Sequence, residues 1–211
     1  PFHAAVAGYE QLGSDIDGEA LNDQSGTSVA MSADGNVVAI GAPNAAGSRG
    51  SYSGHVRVHA WDGAQWKQRG SDIDGEASGD YSGYSVALSA DGTVVASGAH
   101  SNVNDIWISA DWHSSGGYLQ TGGHVRVHAW NGARWNQRGA DIDGEGQGDH
   151  SGWSVALSAD GTVVAIGAIQ NSWGPYGADG YRTGWAAGHV RVYAWDGTQW
   201  KQRGSDLDGG E

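Results

Sequence analysis

The stretch Asp80-Tyr81-Ser82-Gly83-Tyr84-Ser85-Val86-Ala87-Leu88-Ser89-Ala90-Asp91-Gly92-Thr93-Val94-Val95-Ala96-Ser97-Gly98-Ala99 decides the fold of this chain. Ser85 to Ser89 alternates apolar and polar residues over the length of a short strand. Ala90-Asp91-Gly92 turns the chain, and Val94 to Ala99 runs back. Asp-Gly between β-branched runs is a strong hairpin signal, because glycine takes the positive φ that the turn needs. The same wording returns at Asp23 to Ala42 and Asp149 to Ala168, with turns at Asp34-Gly35 and Asp160-Gly161.

A second hairpin follows each copy. Gly-His-Val-Arg-Val begins at Gly54, Gly123 and Gly188. In the first copy His55 to Trp61 meets Gln65 to Gly70 through Asp62-Gly63; the others turn at Asn131-Gly132 and Asp196-Gly197. A two-residue loop predicts His59 opposite Trp66, Arg57 opposite Gln68, and Trp61 diagonal to Trp66. Val56, Val58 and Ala60 line the other face. Large groups on both faces predict a sheet covered on both sides, as in a blade between two blades.

An acidic tag, Asp-Ile-Asp-Gly-Glu, joins one unit to the next. It begins at Asp15, Asp72 and Asp141, and a variant begins at Asp206. The spacings are 57, 69 and 65 residues, and most of the variation lies in an insert before each Gly-His-Val-Arg-Val. The chain reads as one repeat domain over 1–211, with units at 14–70, 71–139 and 140–204 and partial repeats at 1–13 and 205–211. Such repeats mark a unit that buries its apolar face only against copies of itself. Four strands per unit predict an all-β fold of β-propeller blades; the alternative is a β-trefoil-like three-fold closure. Small residues (Ala87, Gly98, Ala99) fit where strands converge on an axis, and the Trp-bearing hairpin fits the wider outer part. Closed propellers have about four to eight blades, so three units predict a piece of a longer ring or an assembly of chains.

Composition narrows the function classes. The net charge of −13 argues against nucleic acid and anionic membrane surfaces, and favours cations or neutral ligands. The absence of cysteine excludes disulfides and thiolate metal sites. No apolar run reaches the roughly 18 residues that would predict a membrane span. Pro1 to Glu10 lacks a basic and apolar leader.

Ser-Gly-x-Ser-Val-Ala, Asp-Gly and Val-Ala-Ile-Gly-Ala together resemble the FG-GAP repeat of integrin α-subunit propellers, and more closely its secreted bacterial and algal branch. The resemblance covers nearly the whole chain. It implies a seven-bladed propeller, extracellular or at the cell surface, often calcium-binding, and working in adhesion or ligand recognition. The integrin-type calcium loop lies between the two strands of the first hairpin. Here only Ala-Asp-Gly stands there, so that particular site is expected to be absent.

The tags are the first candidate site. Asp15, Asp17, Glu19 and Asp23 recur as Asp72, Asp74, Glu76 and Asp80, and as Asp141, Asp143, Glu145 and Asp149. Crowded carboxylates repel unless a cation or an arginine intervenes, and calcium takes about six to eight oxygens. One calcium per blade junction is one reading. The other is a structural acidic turn whose carboxylates cap backbone N–H groups or pair with Arg69, Arg138 and Arg203.

The second candidate is the set of inserts, with Trp107, Trp112, Tyr118, Trp173, Tyr176, Tyr181 and Trp185 as a ligand-binding surface. Those rings suit a glycan or a protein partner; packing onto their own blades is the alternative. His55 and His59 share a face but stand roughly 13 Å apart along a strand, as do His124 and His128, so they read as packed strand histidines. No nucleophile elbow, phosphate loop or His-Glu-x-x-His motif is present, and carboxylates that recur in every unit make a poor single active site. The expected function is therefore a non-enzymatic extracellular scaffold for adhesion, assembly or protein contacts, stiffened by calcium, with a lectin-like carbohydrate-binding module as the alternative. The expected partners are further repeats or other chains that complete the ring.

Overall fold

The computed structural model describes residues 8, 10–101, 122–146, 148–170 and 187–209. Three antiparallel sheets stand side by side. The first holds β1 (Ser28–Met31), β2 (Val37–Ala42), β3 (His55–Trp61) and β4 (Trp66–Gln68), in that order, with β5 (Ile73–Asp74) also pairing β3. The second repeats it with β6 (Ser85–Leu88), β7 (Val94–Ala99), β8 (His124–Trp130), β9 (Trp135–Gln137) and β10 (Ile142–Asp143). The third uses β11 (Ser151–Leu157), β12 (Val163–Ala168), β13 (His189–Trp195), β14 (Trp200–Gln202) and β15 (Leu207–Asp208). These are propeller blades. Separate meanders packed face to face set aside the trefoil alternative.

Both hairpin loops are longer than two residues. Trp61 pairs with Trp66 and His59 with Gln68, which corrects the register expected from a two-residue loop. Asp62 is the reason: its Oδ1 accepts the backbone N–H groups of Ala64 and Gln65, and its own N–H donates to Gln65 O. Asp and Asn side chains fold turns in this way. Trp61 and Trp66 then stack edge to face at 5.5 Å. In the first hairpins the serine before Asp-Gly does similar work. Ser89 Oγ donates to Asp91 and accepts the N–H of Val94, while Gly92 alone of that loop takes a positive φ, +69°.

The blades meet most closely along the edges formed by β1, β6 and β11. Small residues make this possible. A Cβ on Gly41 would sit 2.0 Å from Gly83 O of the next blade, and one on Gly98 would sit 2.0 Å from Gly152 O. Ser28 and Ser85 donate to those same carbonyls at 2.7 Å. The hairpin tips are tied by Ala33 N–H to Ala90 O and Ala90 N–H to Ala159 O, both 2.8 Å. At the outer edge Trp135 and Trp200 donate their indole N–H groups to Arg69 O and Arg138 O of the blade before. Arg69 and Arg138 reach forward in turn to Gly92 O and Gly161 O.

Two apolar clusters fill the two junctions. Val37, Ala39, Val56, Val58 and Ile73 pack against Val86 and Leu88 of the next sheet. Val94, Ala96, Val125, Val127 and Ile142 pack likewise against Val155 and Leu157. Among the described residues, the equivalent faces at the two ends of the array have no such partner. Val29 and Met31 are 65% and 57% exposed at one end, and Val190 and Leu207 are 37% and 62% exposed at the other.

Candidate metal centre

The tags position the site. Ile73 pairs with Val56 and Asp74 with His55, so each tag crosses the start of the central strand of its own blade. Gly75 continues the crossing: its N–H donates to Gly54 O, and a Cβ there would meet Ser53 O at 2.0 Å. The chain then passes to the next blade, where an arginine takes hold of it. Arg57, Arg126 and Arg191 donate from Nη2 to the carbonyls of Asp17, Asp74 and Asp143 at 2.5–2.6 Å. Their Nη1 atoms stand 3.6–3.8 Å from Glu19, Glu76 and Glu145. The first Asp of a tag thus faces the blade behind it, and the Glu faces the blade ahead.

This hand-over assembles a Glu, a His and an Asp on every blade. The groups are Glu19, His55 and Asp72; Glu76, His124 and Asp141; and Glu145, His189 and Asp206, each with donor atoms within 4.8 Å of one another. The histidines are buried, at 3%, 1% and 5% exposure, whereas the Glu side chains reach solvent. His189 Nδ1 lies 3.9 Å from Glu145 and 3.8 Å from Asp206 without a hydrogen-bond partner, and its Nε2 has none either. His124 Nδ1 lies 3.9 Å from Asp141, and its Nε2 is unpartnered. Burial holds His124 down to about 4, against the opposing pull of Asp141, so its imidazole is neutral at pH 7. Burial pushes the Glu76 carboxyl up, and the Arg126 guanidinium offsets part of that rise.

The four carboxylates expected from one tag go to different places. Asp15, Asp72 and Asp141 each accept from a glutamine four residues upstream: Gln11, Gln68 and Gln137. Asp74 accepts from Ser48 Oγ at 3.0 Å, and burial, with Asp141 adding to it, raises the Asp143 carboxyl. Asp17 offers its backbone carbonyl to Arg57. Asp23, Asp80 and Asp149 are buried and accept backbone N–H groups: Ala20 for Asp23, Glu76 and Ala77 for Asp80, and Gly146 for Asp149. Among the described residues, the donors that converge come from two successive tags and one strand, not from one tag. Trp107, Trp112, Tyr118, Trp173, Tyr176, Tyr181 and Trp185 lie outside the described residues.

His55, His124 and His189 are the members that sequence reasoning missed. The signal was present: this histidine recurs in all three copies, while the position of His59 and His128 becomes Tyr193. Tyr84, His100 and Trp153 form a second unforeseen group, with Tyr84 stacked on His100 at 4.1 Å and 4.8 Å from Trp153. They bring the second and third blades together, and Tyr81 and His150, just before the two Ser-Gly-x-Ser motifs, take positive φ.

Fold and site together define a class: a β-propeller array with a His–carboxylate cluster on each blade. No family model matches the chain, and no curated protein matches it. Solved structures do. A Bacteroides fragilis protein described as a 6-phosphogluconolactonase aligns with 86% of this chain at TM-score 0.51 and 10% identity. The Pseudomonas aeruginosa periplasmic gluconolactonase aligns with 88% at TM-score 0.40 and 14% identity. The tricorn protease aligns with 83% at TM-score 0.46 and 12% identity. The chain spans 38%, 58% and 18% of the length of these three. At such identities the likeness shows the fold. It also corrects the expected function: the solved structure that aligns at TM-score 0.51 bears the name of an enzyme, so the expectation of a non-enzymatic scaffold for adhesion or assembly, with glycan binding as its alternative, does not stand. At 10% identity that likeness says nothing more of this chain's activity.

Proposed function

We propose that this chain is a divalent-cation-binding propeller segment whose sites are the Glu–His–Asp groups of its three blades. One observation carries the reading. A buried imidazole, His189, points an unpartnered nitrogen at two carboxylates 3.8 and 3.9 Å away. A charge-assisted hydrogen bond would be about 2.7–2.9 Å, and an unpaired buried nitrogen is costly. A cation between the three donors satisfies all of them. The acidic balance of the chain favours loading, and an extracellular or periplasmic setting accords with this reading.

A second reading has its own support. Three protein donors leave a coordination position open, which is the composition of hydrolytic metal centres rather than of closed structural ones. A metal-assisted hydrolase acting on lactones or esters fits that composition, and the names of the structural neighbours agree with it. In this reading the chain's own residues bind and orient the ion, and Arg57, Arg126 and Arg191 hold the Glu carboxylates in place.

One experiment addresses both. The chain is stripped with EDTA and dialysed against zinc, manganese or calcium; bound ions are counted, melting is recorded, and lactone and ester turnover is assayed. Up to three ions per chain and a raised Tm are expected, because a ligand that binds only the folded state stabilises it. No retained ion and an unchanged melt would sink the cation reading. Turnover that is absent, or equal with and without ions, would remove the hydrolase.

A further inference from the structure

Resting on the reading that these groups bind a divalent cation, we infer that all three sites are built for an imidazole-preferring transition-metal ion of the zinc class, and not for calcium. The donors decide it. Calcium takes about six to eight oxygens, and its affinity rises with the number of charged ligands. Each group here has two carboxylates, at most four oxygens, and a guanidinium 3.6–3.8 Å from the Glu that offsets one of the two charges. The third donor is an imidazole nitrogen, which suits zinc, cobalt, nickel or copper and contributes little to calcium.

Geometry points the same way. His55, His124 and His189 are fixed in the central strands by antiparallel pairing with the tag strands. Gly75, Gly144 and Gly209 follow those tag strands, and each has a carbonyl within 2.0–2.2 Å of where a Cβ would be. The crossing is therefore too tight to shift, and the nitrogen is preset. The two carboxylates lie on more exposed side chains, 41% for Glu145 and 25% for Asp206. Zinc bonds of about 2.0–2.2 Å need those oxygens to move inward by roughly half an ångström, which exposed side chains can do. The roughly six to eight oxygens of calcium would have to come largely from groups other than the side chains of this cluster.

The test uses cobalt(II) as a spectroscopic probe. EDTA-stripped chain is titrated with cobalt(II), the visible d–d bands are followed, and zinc or calcium is then added in competition. Bands of a low-coordinate nitrogen–oxygen site are expected. Equimolar zinc should abolish them, while a hundredfold excess of calcium leaves them in place, a preference on the order of a hundredfold or more. Histidine variants of a buried strand risk unfolding, so the site variant is Glu145→Gln, whose side chain is exposed. It should lower the cobalt stoichiometry by one ion with an unchanged circular dichroism spectrum. Calcium binding without cobalt or zinc, or calcium displacing cobalt at equal concentration, overturns this inference and leaves cation binding intact. Full stoichiometry in Glu145→Gln overturns the site assignment. Failure to bind any of the three ions overturns both readings.

Discussion

His128 shows how a residue acts through what it lacks. It sits in β8, 8% exposed, with Nδ1 unpartnered. Burial lowers its pKa from 6.5 to about 4; the nearby Arg126 adds to that and Asp141 opposes it. Between those two pH values the unfolded chain binds more protons than the folded one. Stability is therefore full above about pH 6.5 and falls as pH drops towards 4. One such imidazole accounts for at most about 3 kcal/mol across that window. His128→Phe, which removes no hydrogen bond at Nδ1, is expected to flatten the fall. The check is urea denaturation in EDTA at pH 7, 6 and 5; a wild-type slope retained in the variant would refute the assignment. At this scale the sequence was half legible. Asp-Gly and Asn-Gly were read as turns, but the longer loop that the Asp or Asn side chain builds was not, because the residue type allows both a two-residue loop and a longer side-chain-bonded one.

At the scale of the element, the approach between blades rests on glycines in the return strands. In β7 a methyl on Gly98 would meet the Gly152 carbonyl at 2.0 Å and Ser85 Oγ at 2.4 Å. In β12 the equivalent Gly167 would meet Ser154 Oγ at 2.4 Å, with nothing else nearer than 3.7 Å. Backbone cannot yield and a hydroxyl can. Gly98→Ala is expected to cost about 3 kcal/mol or more, and Gly167→Ala about 1 kcal/mol or less. Equal losses of denaturation midpoint in the two variants would show that the junction does not depend on this contact. The repeated Gly-Ala at the end of these strands signalled a crowded place in the sequence. Which of the three copies is crowded follows from which has a neighbour.

At the scale of the whole molecule, identical residues have different worth along the array. Val86 packs into the first junction, while Val29, its counterpart in the first blade, is 65% exposed. Val86→Ala is expected to cost about 1–2 kcal/mol from lost burial. Val29→Ala should stay within about 0.5 kcal/mol. Guanidinium denaturation of both variants checks this, and a large loss in Val29→Ala would mean that another surface covers the first blade in solution. Through alternating residues, Asp-Gly turns and a recurring unit, the sequence by itself determined four strands of each sheet, their grouping into repeats and the need of each repeat for a neighbour, but not the fifth strand that each tag adds. What it determined is local or periodic, and so survives without coordinates. Tertiary structure alone decided the Glu–His–Asp clusters. Their Glu, His and Asp belong to two tags and the strand between them, and no spacing along the chain reveals their meeting. They come together because β5, β10 and β15 pair with the central strands, and because each tag then passes to the blade ahead.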